Sequence, residues 1–190
     1  MRILLILFAL SHLFANENSY QRFKSYMQSQ VNSVYTIKFD QTQYGESLYS
    51  NGKVYFKSPE YFIFETKSTQ VSYKQNFITT INKETNQIIY DDKMLGEISV
   101  FDLIYGKEEV FVPSEIMDNG TVSNILFDLN NFNMVGSLEV DRFTGEPKKV
   151  ILRNNSSGKT IITIKQLKIE DNYSVFKIDS SLFEIIDLRE

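Results

Sequence analysis

Two pairs of adjacent acids are the residues of this sequence whose types and spacing could support catalysis. Asp91 and Asp92 stand at the predicted end of a strand, and Glu108 and Glu109 follow a short predicted helix. Two carboxyl groups suffice for glycoside hydrolysis. However, adjacent residues of a strand point to opposite faces of a sheet, and acids at the ends of loops are usually solvated. We therefore expect no enzymatic activity, and a carboxylate-dependent envelope hydrolase is the least favoured alternative.

Other common catalytic and metal-binding chemistries lack their residues. The 190-residue chain has no cysteine and one histidine, His12, in a segment that we predict to be removed. Hydrolytic triads and zinc sites need histidine or cysteine in nearly every known form. No glycine-rich phosphate loop or calcium loop occurs. We predict no metal and no cofactor. Because 20 basic and 24 acidic residues are scattered along the chain, we expect no nucleic-acid partner.

The first fifteen residues have the composition of a secretory signal peptide. The segment "MRILLILFALSHLFA" combines a positive charge at Arg2, an apolar run over residues 3–10 and a small residue, Ala15, before a polar stretch. The apolar run is far shorter than the roughly 20 residues that a membrane span needs. We predict a signal peptide over residues 1–15 and a single domain over residues 16–190. The mature product is expected to be a soluble, monomeric protein of the periplasm.

The rest of the chain predicts a mainly β fold with two helices. Tyr20, Phe23, Met27 and Val31 recur at helical spacing, and the period then changes to two over a series of short segments separated by turn residues. The stretch "GEISVFDLIYG", residues 96–106, returns to helical spacing between two glycines. This pattern predicts an incomplete antiparallel β-barrel, a curved half-barrel sheet, whose two helices cover an apolar concavity.

Aromatic residues are concentrated in the stretch "KVYFKSPEYFIFET", residues 53–66. Strand alternation places large apolar side chains on the inward face of successive strands, at Phe39, Val54, Phe56, Phe62, Phe64 and Tyr73. Each alone would be an ordinary core residue, but inward rings on neighbouring strands either fill the interior or wall an apolar cavity. We predict a cavity lined by these six residues. Its lid is the second helix, with Ile98, Phe101 and Tyr105 at helical spacing.

These motifs resemble the outer-membrane lipoprotein carrier family, LolA, over residues 34–188. Phe39 and Gln41 match the Phe-x-Gln of the family, and residues 52–59 match its glycine-to-proline motif with two apolar positions between. The aromatic pair after the proline is matched by Phe62 and Phe64. The closing phenylalanine of the family is matched by Phe183.

The chain departs from the family pattern near the predicted lid. Ser58 stands where the family has an arginine that is tied to opening and closing of its lid. Gln75 and Asn76 replace an Asp-Gly turn, and Thr80 and Asn82 replace aromatic residues of the following strand. The proline-rich ending of the family is also absent. These departures indicate a divergent branch of the family and concern the lid more than the fold.

The resemblance implies a periplasmic chaperone that shields the acyl chains of lipoproteins under a helical lid. It implies an inner-membrane ABC transporter of the LolCDE kind as the donor and an outer-membrane acceptor. An acyl chain of about 15 methylenes costs on the order of 12 kcal/mol to expose to water at ~0.8 kcal/mol per methylene. A carrier therefore needs an apolar sheath. The alternative function for the same fold is a regulatory domain that senses lipids or lipoproteins.

Overall fold

The computed structural model describes most of the predicted domain. It covers residues 18–58, 60–93, 100–105, 112–129, 133–154, 158–167 and 179–189, with the backbone alone at positions 100, 105 and 167. The predicted signal peptide, Ile98 of the predicted lid, the pair Glu108 and Glu109, and a predicted strand at residues 173–178 lie outside the described residues.

Three helical segments are described: α1 (Ser19–Ser29), α2 (Val100–Tyr105) and a 3₁₀ turn (Ser180–Leu182). Helix α1 begins after Asn18, whose side chain accepts a hydrogen bond from the Gln21 amide at 3.0 Å and so satisfies one of the free N–H groups of the first turn. Of the four apolar residues predicted at helical spacing, Tyr20, Phe23 and Met27 are buried. The prediction is wrong for Val31, which lies beyond the end of the helix and is exposed. None of the described helices is long and apolar enough to cross a membrane.

Twelve strands form one sheet in the order β12-β6-β5-β4-β3-β2-β1-β11-β10-β9-β8-β7. Their bounds are β1 (Ser33–Gln43), β2 (Glu46–Ser58), β3 (Tyr61–Glu65), β4 (Thr69–Lys74), β5 (Phe77–Asn82), β6 (Gln87–Asp92), β7 (Pro113–Asn119), β8 (Val122–Leu129), β9 (Met134–Asp141), β10 (Pro147–Asn154), β11 (Lys159–Leu167) and β12 (Glu184–Asp187). Consecutive strands pair through short turns over β1–β6 and over β7–β11, and β1 joins the two halves by pairing with β11.

The predicted incomplete barrel is confirmed, since the sheet is open and its end strands, β12 and β7, do not pair within the described part of the chain. One pairing differs from the all-antiparallel prediction. Strand β12 runs parallel to β6, with Ile185 opposite Ile88 and Ile186 opposite Ile89. A parallel pair needs a long connection, and an alternating apolar pattern does not reveal which distant strand it joins.

The main core lies on one face of the sheet, which we call the inner face, against α1 and α2. Phe23 and Met27 of α1 pack there with inward residues of the central strands, including Tyr35 and Ile37. Gly145, in the turn between β9 and β10, permits this approach because a Cβ at that position would lie 2.4 Å from the Arg22 backbone. Its φ of +80° is also one that glycine adopts readily.

The outer face of β2–β6 carries buried side chains as well. These are Tyr55, Ile63, Gln70, Ile81 and Ile88. Consecutive residues of β2, from Val54 to Phe56, are therefore all buried instead of alternating. A strand that is buried on both faces has a continuous apolar run, which accounts for part of the aromatic content of residues 53–66.

Candidate functional site

The six predicted site residues share the inner face of β1–β4. Phe64 lies opposite Val54, and Phe62 lies opposite both Phe56 of β2 and Tyr73 of β4. Directly opposite residues of paired strands project from the same face of a sheet. The register thus brings these side chains together with Phe39, which follows Tyr35 and Ile37 at alternate positions of β1.

Six rings form a continuous set of contacts that we call the aromatic cluster, made of Phe39, Phe56, Phe62, Phe64, Tyr73 and Phe101. The rings of Phe62 and Tyr73 are stacked, with centroids 4.7 Å apart. Phe39 and Phe64 meet edge to face at 5.7 Å. Both arrangements are favourable for aromatic pairs.

Phe101 places α2 over the middle of the aromatic cluster. Its ring centroid lies 4.5 Å from that of Phe62, 5.7 Å from that of Phe64 and 6.2 Å from that of Tyr73. The side chain is 7% exposed. An ion pair between Lys93 Nζ and Asp102 Oδ2, 2.7 Å apart, also links α2 to the end of β6. The Phe101 ring thus lies against the rings of the sheet, and the role of α2 as a lid stays a prediction. The side chain of Tyr105 is not described.

Burial divides the six predicted site residues into a deep part and a rim. Val54, Phe56 and Phe62 belong to the buried core. Phe39, Phe64 and Tyr73 are partly exposed and pack against it. That all six residues line a ligand cavity stays a prediction, because the described rings contact one another directly.

Gly52 of the glycine-to-proline motif makes room for the rim. A Cβ at this position would lie 2.6 Å from the Phe64 ring and 2.5 Å from the Glu65 carbonyl oxygen. Gly52 precedes Val54 on the inner face of β2 and lies opposite Ile37. The absence of a side chain there lets Phe64 lie flat on β2 and reach Phe39.

Tyr35 is a buried residue beside the aromatic cluster that the sequence analysis did not include. Its ring meets Phe56 edge to face at 5.5 Å, and its hydroxyl is buried with no hydrogen-bond partner among the residues that the structure describes. The nearby Tyr26 hydroxyl donates instead to Gln166 Oε1 at 2.7 Å. Burial, helped by the neighbouring Tyr26, raises the pKa of the Tyr35 phenol far above its usual value. The signal in the sequence that could have identified Tyr35 was its place two residues before Ile37, on the same inward face of β1.

One end of the aromatic cluster opens into a surface cleft. Phe39 lines a cleft of about 610 Å³ together with Tyr49, Ser50 and residues of the turn between β3 and β4. A second cleft of about 480 Å³ shares Asn51 and Lys67 with the first. The only predicted site residue in these two clefts is Phe39.

The candidate catalytic acids show no arrangement of the kind that hydrolysis requires in the part of the chain that is described. Asp91 and Asp92 are consecutive in β6, opposite Ile78 and Phe77 respectively. Asp91 Oδ1 accepts a hydrogen bond from the Asp92 amide at 2.9 Å. No group of three or more metal-binding side chains occurs among the described residues. The absence of enzymatic activity stays a prediction.

Comparison with known proteins gives likenesses of structure. No protein-family model matches the sequence, and no curated protein matches it. A conserved uncharacterized protein from Thermus thermophilus has a TM-score of 0.53 at 9% identity, over 90% of this chain and 99% of that one. The LolA superfamily protein NE2245 from Nitrosomonas europaea has a TM-score of 0.49 at 9% identity, over 82% of this chain and 93% of that one.

The T. thermophilus structure shows that the fold is shared over nearly the whole of both chains. The predicted resemblance to LolA proteins is confirmed as a likeness of fold. The open sheet, the N-terminal helix and the short helix over the aromatic cluster are the architecture that the resemblance implied.

Proposed function

We propose that this protein is a periplasmic chaperone for lipoproteins. It binds their acyl chains after release from the inner membrane by an ABC transporter of the LolCDE kind and carries them towards an acceptor in the outer membrane. The observation that carries this proposal is the position of Phe101, whose ring covers aromatic residues of β3 and β4. A short helix in that place can exchange its ring for an acyl chain.

The energetics of the ring contacts support reversible opening. Phe101 makes three ring contacts with residues of the sheet, and each aromatic pair contributes about 0.5–1.5 kcal/mol beyond area burial. Displacing α2 therefore costs a few ring contacts, which an entering acyl chain offsets by covering the same apolar surface. A minor open state of this kind is what a binding protein needs in order to take up and release its ligand.

The remaining features of the proposal follow from the resemblance. The chain acts as a binding protein with no enzymatic activity of its own, works as a monomer in the periplasm and needs no cofactor. A regulatory domain that senses acylated ligands without transporting them is the second candidate with this fold. The two differ in whether the protein accepts lipoprotein from inner-membrane vesicles.

The test is displacement of an environment-sensitive apolar dye from the purified protein. We expect a triacylated lipoprotein to displace the dye and the same lipoprotein without acyl groups to leave it bound, because the acyl chains carry the apolar area. Phe101→Asp should weaken the binding of both ligands, since a charge at the cluster must be desolvated or hold α2 away. Phe143→Asp is the matched control, because Phe143 is 67% exposed in the turn between β9 and β10. Equal competition by the acylated and non-acylated forms would contradict the proposal.

A further inference from the structure

Strand β2 extends beyond the strand beside it. Its pairing with β1 continues to Gln43 and Glu46 at the turn, whereas its pairing with β3 begins only at Lys53 and Glu65. Residues 46–51 are exposed without exception. Among the described strands, this stretch of β2 is thus paired on one side and unpaired on the other, in the middle of the sheet order instead of at its end.

The turn geometry identifies the backbone groups that are left unpaired. Tyr44 and Gly45 connect the strands with φ of 52° and 83°, as in a type I′ turn, where both central residues have positive φ. The residues that flank a two-residue turn form a hydrogen-bonded pair, and such pairs alternate with non-bonded ones. Every second residue from Glu46 therefore bonds to β1. The N–H and C=O groups of Ser47, Tyr49 and Asn51, which we call the open edge, point away from it.

Nothing in the described part of the chain protects this edge. Natural sheets shield exposed edges with proline, lysine or a bulge. Residues 46–51 contain neither proline nor lysine, and the register of β1 with β2 has no shift along the strand. The two clefts of about 480 and 610 Å³ both border Asn51 and the turn residues Thr66 and Lys67. None of the residues that the structure describes therefore fills the space beside the open edge.

The charge around the open edge is positive. Lys38, Lys53 and Lys67 line the two clefts, and each is exposed and forms no ion pair within the described residues. Two acids also line the clefts, Asp40 and Glu65, and Glu65 is already paired with Lys83 at 2.7 Å, so that the three lysines outnumber the remaining acid. In a chain of net charge −4, this cationic edge favours an acidic partner.

The open edge is continuous with the aromatic cluster through Phe39. This residue lines the larger cleft, and its ring contacts Phe64, which in turn contacts Phe101. A ligand whose acyl chains lie at the aromatic cluster can leave it along Phe39 and pass directly beside the open edge.

We propose that the open edge binds an extended, acidic polypeptide segment as an added β-strand, and that this segment is the part of the lipoprotein that follows its acylated end. The inference rests on the proposed function. Strand addition uses main-chain hydrogen bonds, so that affinity depends little on sequence. That property suits a carrier of many different lipoproteins, while the lysines favour acidic residues in the added strand.

Amide hydrogen exchange measured by NMR tests this proposal with a short acylated peptide rich in Asp and Glu. We expect the peptide to slow exchange at Ser47, Tyr49 and Asn51 at least tenfold. The amides of Leu48 and Ser50, which already bond to β1, should change little. Exchange that is unchanged at the three open-edge amides while the acylated peptide displaces the dye would overturn this inference and leave the proposed function intact. Failure of the acylated peptide to displace the dye would overturn both.

Two sets of variants sharpen the test. Tyr49→Pro removes one outward N–H and should weaken the acylated peptide about tenfold, the loss of one or two hydrogen bonds, with unchanged dye binding. If Tyr49→Pro does not fold, the double variant Lys38→Glu, Lys67→Glu should favour a basic acylated peptide over an acidic one.

Peptides N-methylated at alternate residues give an independent control, since only one of the two alternate series should lose affinity. Equal losses in both series, or protection of the three amides by anionic phospholipid vesicles in place of peptide, would contradict strand addition.

Discussion

At the scale of single residues, the same side chain has different consequences at different depths of the aromatic cluster. Phe56 is 2% exposed and contacts Tyr35 and Phe62. Phe64 is partly exposed and contacts Phe39 and Phe101. The first is therefore mainly a core residue, and the second lies where a ligand would replace the ring of α2.

Alanine substitutions should separate these two roles. Phe56→Ala is expected to lower the free energy of unfolding by about 3–5 kcal/mol, as for other core phenylalanines. Phe64→Ala should cost clearly less, because its ring is only partly buried, and should reduce dye and lipoprotein binding more. Urea unfolding and dye titration of the two variants provide the comparison. Equal losses of stability and equal losses of binding would show that the two rings have one role.

The buried hydroxyl of Tyr35 makes a second residue-scale prediction. A buried polar group without a partner costs about 1–3 kcal/mol, and the Tyr35 hydroxyl has no partner in the described part of the chain. Tyr35→Phe should therefore keep or raise the free energy of unfolding. Tyr26→Phe is the matched control and should lower it, because the Tyr26 hydroxyl donates to Gln166. A loss of stability in Tyr35→Phe as large as that of the control would contradict the assignment.

Strand alternation was sufficient to place Phe39, Phe62 and Phe64 on one face, because the side chains of a strand alternate with a fixed period. Helical spacing was sufficient to place Phe101 on the side of α2 that faces the sheet. The missing hydrogen bond of the buried Tyr35 hydroxyl could not be predicted, since it depends on where Tyr26 and Gln166 lie after α1 packs on the sheet. Such contacts are set by tertiary structure and leave no local pattern.

At the scale of elements, α1 is held to the sheet by a polar cluster around Asp118. The hydroxyl of Ser123 donates to Asp118 Oδ1 at 2.5 Å, and that of Ser19 donates to the same atom at 3.0 Å. Arg142 lies 3.2 Å from Asp118 Oδ2. These contacts, the Ser123 hydrogen bond first, lower the pKa of Asp118 below its ordinary value of 3.8. Docking of α1 on β7 and β8 is thereby favoured when Asp118 is ionised.

The Asp118 cluster predicts a pH-dependent contribution to stability. A depressed pKa in the folded state adds stability that is present above the ordinary value and is lost as the pH falls through the lower, folded value. Ser123→Ala should therefore lower the melting temperature at neutral pH, and the difference from the wild type should narrow under acidic conditions. Thermal unfolding of both proteins across this range is the measurement. A difference that stays constant down to the lowest pH would contradict the role of Asp118.

Helix α2 is the element on which the proposed binding depends, and an ion pair links it to the end of β6. Ser58 stands in place of the arginine of the LolA family, whereas Lys93 and Asp102 form a largely buried pair at 2.7 Å. Lys93→Met should free α2 and speed dye uptake roughly fivefold, the equivalent of about 1 kcal/mol for an ion pair. Lys83→Met, which removes the pair with Glu65 on β3, is the control. Equal rates of dye uptake in the two variants would show that the ion pair between Lys93 and Asp102 does not hold α2 against the sheet.

At the scale of the whole molecule, the sheet has two halves that meet at β1. The half from β2 to β6 carries the aromatic cluster and α2, and the half from β11 to β7 packs beneath α1. Short turns and alternation predicted most of these strands, because consecutive antiparallel neighbours are joined locally. The parallel pairing of β12 with β6 could not be predicted, since it joins segments that are distant in sequence. The burial of Tyr55 and Ile63 could not be predicted either, because strand alternation places them on the face opposite to the main core.

The central claim is that acyl chains bind at the aromatic cluster beneath α2, and mass spectrometry of native material tests it most directly. The protein and its Phe101→Asp variant would be purified from their own periplasm without detergent, and the bound molecules identified. We predict that acylated lipoproteins copurify with the wild type and are lost from the variant, because Phe101 occupies the centre of the cluster. Recovery of no acylated molecule with the wild type, or of the same non-acylated proteins with both, would contradict the account.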